Sequence, residues 1–171
     1  ESYIRQHPAP LAIYPLRATL GAGFHFLLGM LIALAFVWCV KGFDNLPALA
    51  ALIPALLILF VVGWALAICM GVANVLFQDS QHLIGIVLQM LFYLTPILYT
   101  REFMLEKAPR FAPIFDCNPF AVMLELIRKP LLDGRLPSTW AISASSIFAL
   151  LIVGLAALAL YRYEKRMIFY L

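Results

Sequence analysis

Asp79 and His82 stand three residues apart in the stretch NVLFQDSQHLIGIVLQMLFYLTPILY, Asn74 to Tyr99. On a helix they would share one face, and a carboxylate beside an imidazole is the least that general acid–base chemistry needs. Asn74, Gln78 and Gln81 surround them, and long apolar runs lie on both sides. Unpaired polar side chains in hydrocarbon cost on the order of several kcal/mol, so an apolar chain carries such a patch where it leaves a membrane or turns inside a bundle. The patch therefore reads as a hinge between two spans. Residues in a polar hinge more often cap helices than catalyse, and Asn74 and Asp79 are expected to be structural anchors of the turn.

No other grouping supplies a chemical centre. The chain has no G-x-x-x-x-G-K-[ST] phosphate loop, no H-E-x-x-H and no C-x-x-C pair. His25 lies in an apolar run with no His, Cys, Asp or Glu three or four residues away, which favours packing or hydrogen bonding over a metal or proton site. Cys39 and Cys69 also fall in apolar runs, whereas Cys117 sits in a polar loop as a candidate free thiol. We expect no catalytic residue, no metal site and no cofactor bound by this chain.

The elements that would hold these residues are membrane spans. Hydrophobic residues make up 64% of the 171 and charged residues 12%, with a mean hydropathy of +0.96, too little charge to cover a soluble globule. The net charge of +3 is small and the basic residues are scattered, so nucleic acid is not an expected partner. The fold class expected is an all-α membrane protein with four transmembrane helices, at about 18–40, 48–73, 83–99 and 140–161, plus short interfacial or re-entrant helices before the last span.

Segment 1–17 has no methionine start and no signal peptide, so the chain reads as the middle of something longer. Residues 2–7 suit a polar helical turn or two closed by Pro8, either a docking element or a solvated linker, and Pro8, Pro10 and Pro15 keep the backbone after them extended. Lys41 to Pro47 has tight-turn composition, so the first two spans form an antiparallel hairpin. Pro54 is expected to kink the second span, and Gly63 and Gly71 to allow a neighbour close. Pro96 ends or bends the third, which is short for a straight crossing.

Segment 100–139 carries more than half of the formal charges and five of the eleven prolines. Within it FAVMLELIRKPLL places Phe120, Met123, Leu124 and Ile127 on one helical face, with Asn118 as cap, Pro119 at the first helical position and Gly134 as the stop. Such a helix lies at, or dips into, the interface. In the last span Ser143, Ser145, Ala149, Gly154 and Ala157 offer packing surfaces, and residues 162–171 form a basic-aromatic tail. Four spans put both termini and the 74–82 hinge on one side, with Arg5, Arg17, Arg162, Lys165 and Arg166. The other side has more basic residues, mostly in the folded 100–139 segment, whose six basic residues stand among five acidic ones, so charge does not set the orientation.

The order of features resembles the permease subunit of ABC-type polysaccharide exporters, which move lipid-linked O-antigen, capsular polysaccharide and teichoic acid chains outward. The resemblance is carried by Pro10, Pro15 and Leu16, by Asn74, Phe77 and Asp79, by Pro96, Ile97 and Tyr99, and by Asn118-Pro119 with ELIRKPLLDG, Glu125 to Gly134. It departs from the family at Gln78, where a basic residue usually precedes the aspartate, and in lacking the family's first two spans, which implies a fragment or an incomplete reading frame. The resemblance implies a bacterial-type inner membrane, cytoplasmic termini and hinge, an outward 100–139 segment, and a homodimer with the path between protomers. It implies a separate ABC ATPase subunit that uses the ATP and docks at Tyr3, Arg5 and His7. It also implies a lipid-linked glycan passing Gly85, Gln89, Phe92, Tyr93 and Pro96, with Phe92 and Tyr93 equally readable as lipid-facing. An ABC exporter of drugs or lipids, or a non-transporting scaffold whose 100–139 segment binds a partner, are the alternatives.

Overall fold

The computed structural model describes residues 12–42, 46–77, 79–97 and 118–170, and all regular structure among them is helical. The elements are α1 (Ile13–Lys41), α2 (Leu46–Ala50), α3 (Leu52–Leu76), α4 (Ser80–Leu94), α5 (Pro119–Arg128) with a π turn (Lys129–Asp133), and α6 (Thr139–Tyr170). Among the described residues three stretches are long and apolar enough to cross a membrane: Ile13–Val40, Pro47–Leu76 and Thr139–Tyr163. The all-α membrane class holds. The expected span at 83–99 is instead the 15-residue α4, about 22 Å of helix against a hydrocarbon core of about 30 Å. It stops because Pro96 pushes the residue before it out of the helical region, and Thr95 is extended at φ −87°, ψ 130°.

Proline placement accounts for the other departures. α1 begins earlier than expected and takes Pro15 into its first turn, where a missing N–H costs nothing, while the Thr19 hydroxyl donates to the Pro15 carbonyl at 2.8 Å. Pro54 interrupts the second span, but upstream of itself. The break falls at Ala51, between α2 and α3, because a proline ring collides with the carbonyl four residues earlier, here Ala50. Pro130 similarly cannot donate to Leu126, and the chain widens into the π turn before Gly134 closes it at φ 60°. The last helix runs on through the basic tail to Tyr170. Pro8, Pro10, residues 43–45 of the 41–47 turn, Gln78 and Cys117 lie outside the described residues.

The core is the parallel pair α3 and α6 with α5 wedged against them. Ala55, Leu126 and Ala141 form one layer, Val62, Met123 and Ala149 the next, and Ala65, Ile68 and Ala156 the third. Small residues let the two backbones approach, which is how helices associate where lipid removes the hydrophobic drive. Ser145 and Ala149 are in this seam as expected, but Ser143, Gly154 and Ala157 face outward and Ala141 and Ala156 take their place. Likewise the buried edge of α5 is Met123 and Leu126, with Phe120, Leu124 and Ile127 half-buried. α1 runs antiparallel to α3, with Gly23 against Phe60 and Gly63 against Thr19. Gly71 is approached by nothing, and His25 is exposed with its ring edge-on to Phe24.

The layers also fix the depth of α5. Phe120 stacks edge-to-face on Phe148 at 5.8 Å, and Phe148 is about 14 Å along α6 from its start. α5 thus begins well inside the bundle and climbs back to the end where α2 and the start of α6 lie. Gly134 has open space where a side chain would go, so Gly134→Ala should cost about 1–2 kcal/mol from the left-handed backbone alone, and Gly134→Asn less. Thermal unfolding in detergent measures both, and equal midpoints for all three proteins would show that the turn is not held there.

Candidate lining helix and its polar anchors

α4 is attached to the bundle along a narrow stripe. Ser80, Ile84 and Leu91 are half-buried and no residue of the helix is fully buried. Gly85, Gln89, Phe92 and Tyr93 lie on the opposite side, within roughly 100° of arc, all of them exposed and Tyr93 at 65%. The rings of Phe92 and Tyr93 meet edge-on at 5.6 Å, and Gly85 leaves a gap in the face with nothing within 4 Å of where a Cβ would stand. The helix therefore presents an amide, two aromatic rings and a notch on one surface, which suits hydrogen bonding and stacking to a polar ring system. Pro96 does not join it: lying past the end of the helix, it is buried.

At the hinge, Asp79 occupies the cap position of α4 but its side chain makes no capping hydrogen bond. The tie is made by the next residue, whose hydroxyl, Ser80 Oγ, donates to the Ala73 carbonyl at 3.2 Å across the turn. Asn74, Asp79 and His82 are exposed there, and the contact between Asp79 and His82 is the backbone one, His82 N to the Asp79 carbonyl at 3.2 Å. Among the described residues no group of three His, Cys, Asp or Glu is placed to hold a metal.

The far end of α4 meets both ends of α5. Asn118 Nδ2 donates to the Leu94 carbonyl at 3.4 Å and to Thr95 Oγ1 at 3.2 Å, while its Oδ1 accepts from Phe120 N at 3.0 Å. The Asn118 carbonyl accepts from Ala121 N and Val122 N. Since Pro119 has no N–H, the first turn of α5 has no orphan donor, a requirement for a helix that begins away from water. From the last turn of α5, Arg128 Nη1 donates to the Pro96 carbonyl at 3.2 Å. Asn118 and Thr95 are each 5% exposed. A second junction fastens α5 to α6: Glu125 Oε1 accepts from Lys129 Nζ and, at 3.3 Å, from Ser138 Oγ, which itself accepts from Ala141 N at 3.1 Å. At the other end of the bundle Trp64 Nε1 donates to the Ala12 carbonyl at 3.3 Å, fixing the start of α1 on α3.

Asn118 was legible as a helix cap, but its grip on α4 was not, and Thr95, Arg128, Ser80 and Trp64 carried no local signal of their roles. Tyr3, Arg5 and His7 lie outside the described residues. The family profile of ABC-2 type transporters matches residues 1–132, most of the chain.

The chain belongs to the ABC-2 transporter family.

The matched part of this ABC-2 chain runs from its first residue into the π turn after α5, so it takes in α4 and both of its anchors. An O-antigen export system permease protein, RfbA, of Klebsiella pneumoniae is 30% identical over 165 residues, covering 94% of this chain and 61% of that protein. A second RfbA of the same description and organism is 29% identical over 136 residues, covering 78% of this chain and 50% of its own length. The ABC-2 chain thus spans less than two thirds of either relative. With three long apolar helices among its described residues, it is a multi-pass membrane component of a transporter.

Proposed function

We propose that the chain is the membrane-spanning permease subunit of an ATP-driven exporter that moves lipid-linked polysaccharide across the bacterial inner membrane. ATP is bound and hydrolysed by a separate ABC ATPase subunit, and the permease works as a homodimer with the path between protomers. The similarity to permeases named for O-antigen export carries this reading. The outward face of α4 supports it, because Gln89 offers both a donor and an acceptor to sugar hydroxyls, and Phe92 and Tyr93 offer apolar platforms to sugar rings. Segment 1–17, with Tyr3, Arg5 and His7, is the docking region for the ATPase on the cytoplasmic side, and 100–139 faces outward. On this reading the chain performs no reaction itself.

Glycan export in cells is the test. In the complete exporter, Gln89→Leu combined with Tyr93→Ala should lower surface glycan about tenfold, through loss of one hydrogen bond and one stacking platform. Unchanged export at normal membrane levels would remove α4 from the lining. Co-purification should bring down an ATPase subunit. A permease that recovers such a subunit but exports a drug or lipid in place of glycan would keep the scaffold and overturn the substrate.

A further inference from the structure

We propose that Asn118, Thr95 and Arg128 form a latch that binds the end of α4 to the embedded helix α5, so that the two move as one body when the path opens. The inference rests on the reading of α4 as the lining helix. It begins from how little else among the described residues holds α4. The apolar side chains of Leu83, Ile86, Val87, Leu88 and Met90 face outward, and in a bilayer such groups gain little by exchanging lipid for protein. Among the described residues, the polar bonds that place α4 are at its two ends. One is the Ser80 hydroxyl on the Ala73 carbonyl, and the other is the cluster at residues 94–96.

That cluster has two grips on two different parts of α5. Asn118 holds Leu94 and Thr95 from the start of the helix, and Arg128 holds Pro96 from its last turn. A single bond would let the end of α4 swing about α5, whereas donors from both ends of α5 fix that end in place, and the Ser80 bond holds the other. The acceptors are groups that need a donor in any case. The Leu94 carbonyl is left over where α4 stops at Thr95, and Pro96 interrupts the ladder that would have used it. Asn118 is committed on both sides of its amide, with Oδ1 on Phe120 N and Nδ2 on α4, so turning the amide over would break the cap of α5 and the latch together. Parting the two helices would strand buried polar groups on each. The closed latch is therefore kept while the joined pair is displaced.

The test replaces the latch with a covalent one. In the complete exporter, with Cys39, Cys69 and Cys117 changed to serine, Thr95→Cys and Asn118→Cys are joined by a short reducible bis-thiosulfonate linker. Before linking, the pair should export about three- to thirtyfold less than the parent, as should Thr95→Val and Arg128→Met separately, at unchanged membrane levels. Linking should bring the pair back to within about twofold of the parent. Export that stays low or stops on linking would show that α4 and α5 must part, and would overturn the proposal. So would full export by both Thr95→Val and Arg128→Met. A second readout needs no glycan: in the parent with its latch intact, amide hydrogen exchange over residues 91–97 and 118–128 should be the same with and without ATP, and faster exchange in both segments with ATP overturns the latch. If even the parent exports no glycan, the transport reading fails, and the amide exchange alone decides the latch.

Discussion

Asn118→Leu is expected to lower the stability of the detergent-purified protein by about 2–4 kcal/mol. The loss has three parts. The cap of α5 goes with the Oδ1 acceptor of Phe120 N, worth about 1 kcal/mol. The Leu94 carbonyl and Thr95 hydroxyl lose their donor in surroundings where Asn118 and Thr95 are 5% exposed, at about 1–3 kcal/mol for a buried group left unsatisfied. Asn118→Ser separates these, since a serine hydroxyl can still cap but cannot reach α4, so it should cost about half as much. Thermal unfolding followed by circular dichroism reads both. A loss below about 0.5 kcal/mol for the leucine variant would mean that water or relaxation satisfies these groups, and that Asn118 is not the hub of the junction.

Ala141→Leu should cost about 1–3 kcal/mol or more and loosen α5 from the bundle. Ala141 is 0% exposed, between Ala55 and Leu126 with Ile58 and Val122 around them. Three extra carbons there cannot be accommodated by a rotamer change, because α3, α5 and α6 all meet at this layer. The side chain must push α6 from α3 or lift Leu126 out, and the second displaces the Glu125–Ser138 contact next to it. A matched change on the outer side, Ile147→Ala at a residue 59% exposed, should shift stability by less than about 0.5 kcal/mol. Limited proteolysis of the 129–138 segment provides the second reading. Equal midpoints and equal cleavage for the two variants would sink the seam as described.

How much of this was legible in the sequence depends on how far apart the interacting atoms lie along the chain. The start of α5 at Asn118-Pro119 and its stop at Gly134 were readable, because a cap draws on atoms within a few residues of itself. The break at Ala51 was missed by three residues for a related reason: a proline acts on the carbonyl four positions back, so damage appears upstream of the residue that causes it. The bonds from Asn118 to Thr95 and from Arg128 to Pro96 join positions 23 and 32 apart, and no local pattern marks them. The seam on α6 was half found. Small residues occur all around that helix, and with lipid on one side and protein on the other both faces are apolar, so no polar stripe says which small residues meet α3. On α4 the spacing of Gly85, Gln89, Phe92 and Tyr93 was enough to put them on one face, while Pro96 was placed with them only by extending a helix that ends at Leu94.

The depth of α5 bears on the order in which the protein is made. Ten residues of helix are too few to partition into a bilayer as a crossing segment, and the wall that α5 leans on is shared between α3, synthesised before it, and α6, synthesised after it. Until Thr139 and the residues beyond it have left the ribosome, half of that wall does not exist and Glu125 has no Ser138 to meet. The embedded helix is thus among the last parts to settle although it is not the last to be translated, and α6 acts on the nascent chain as the keystone that lets it do so.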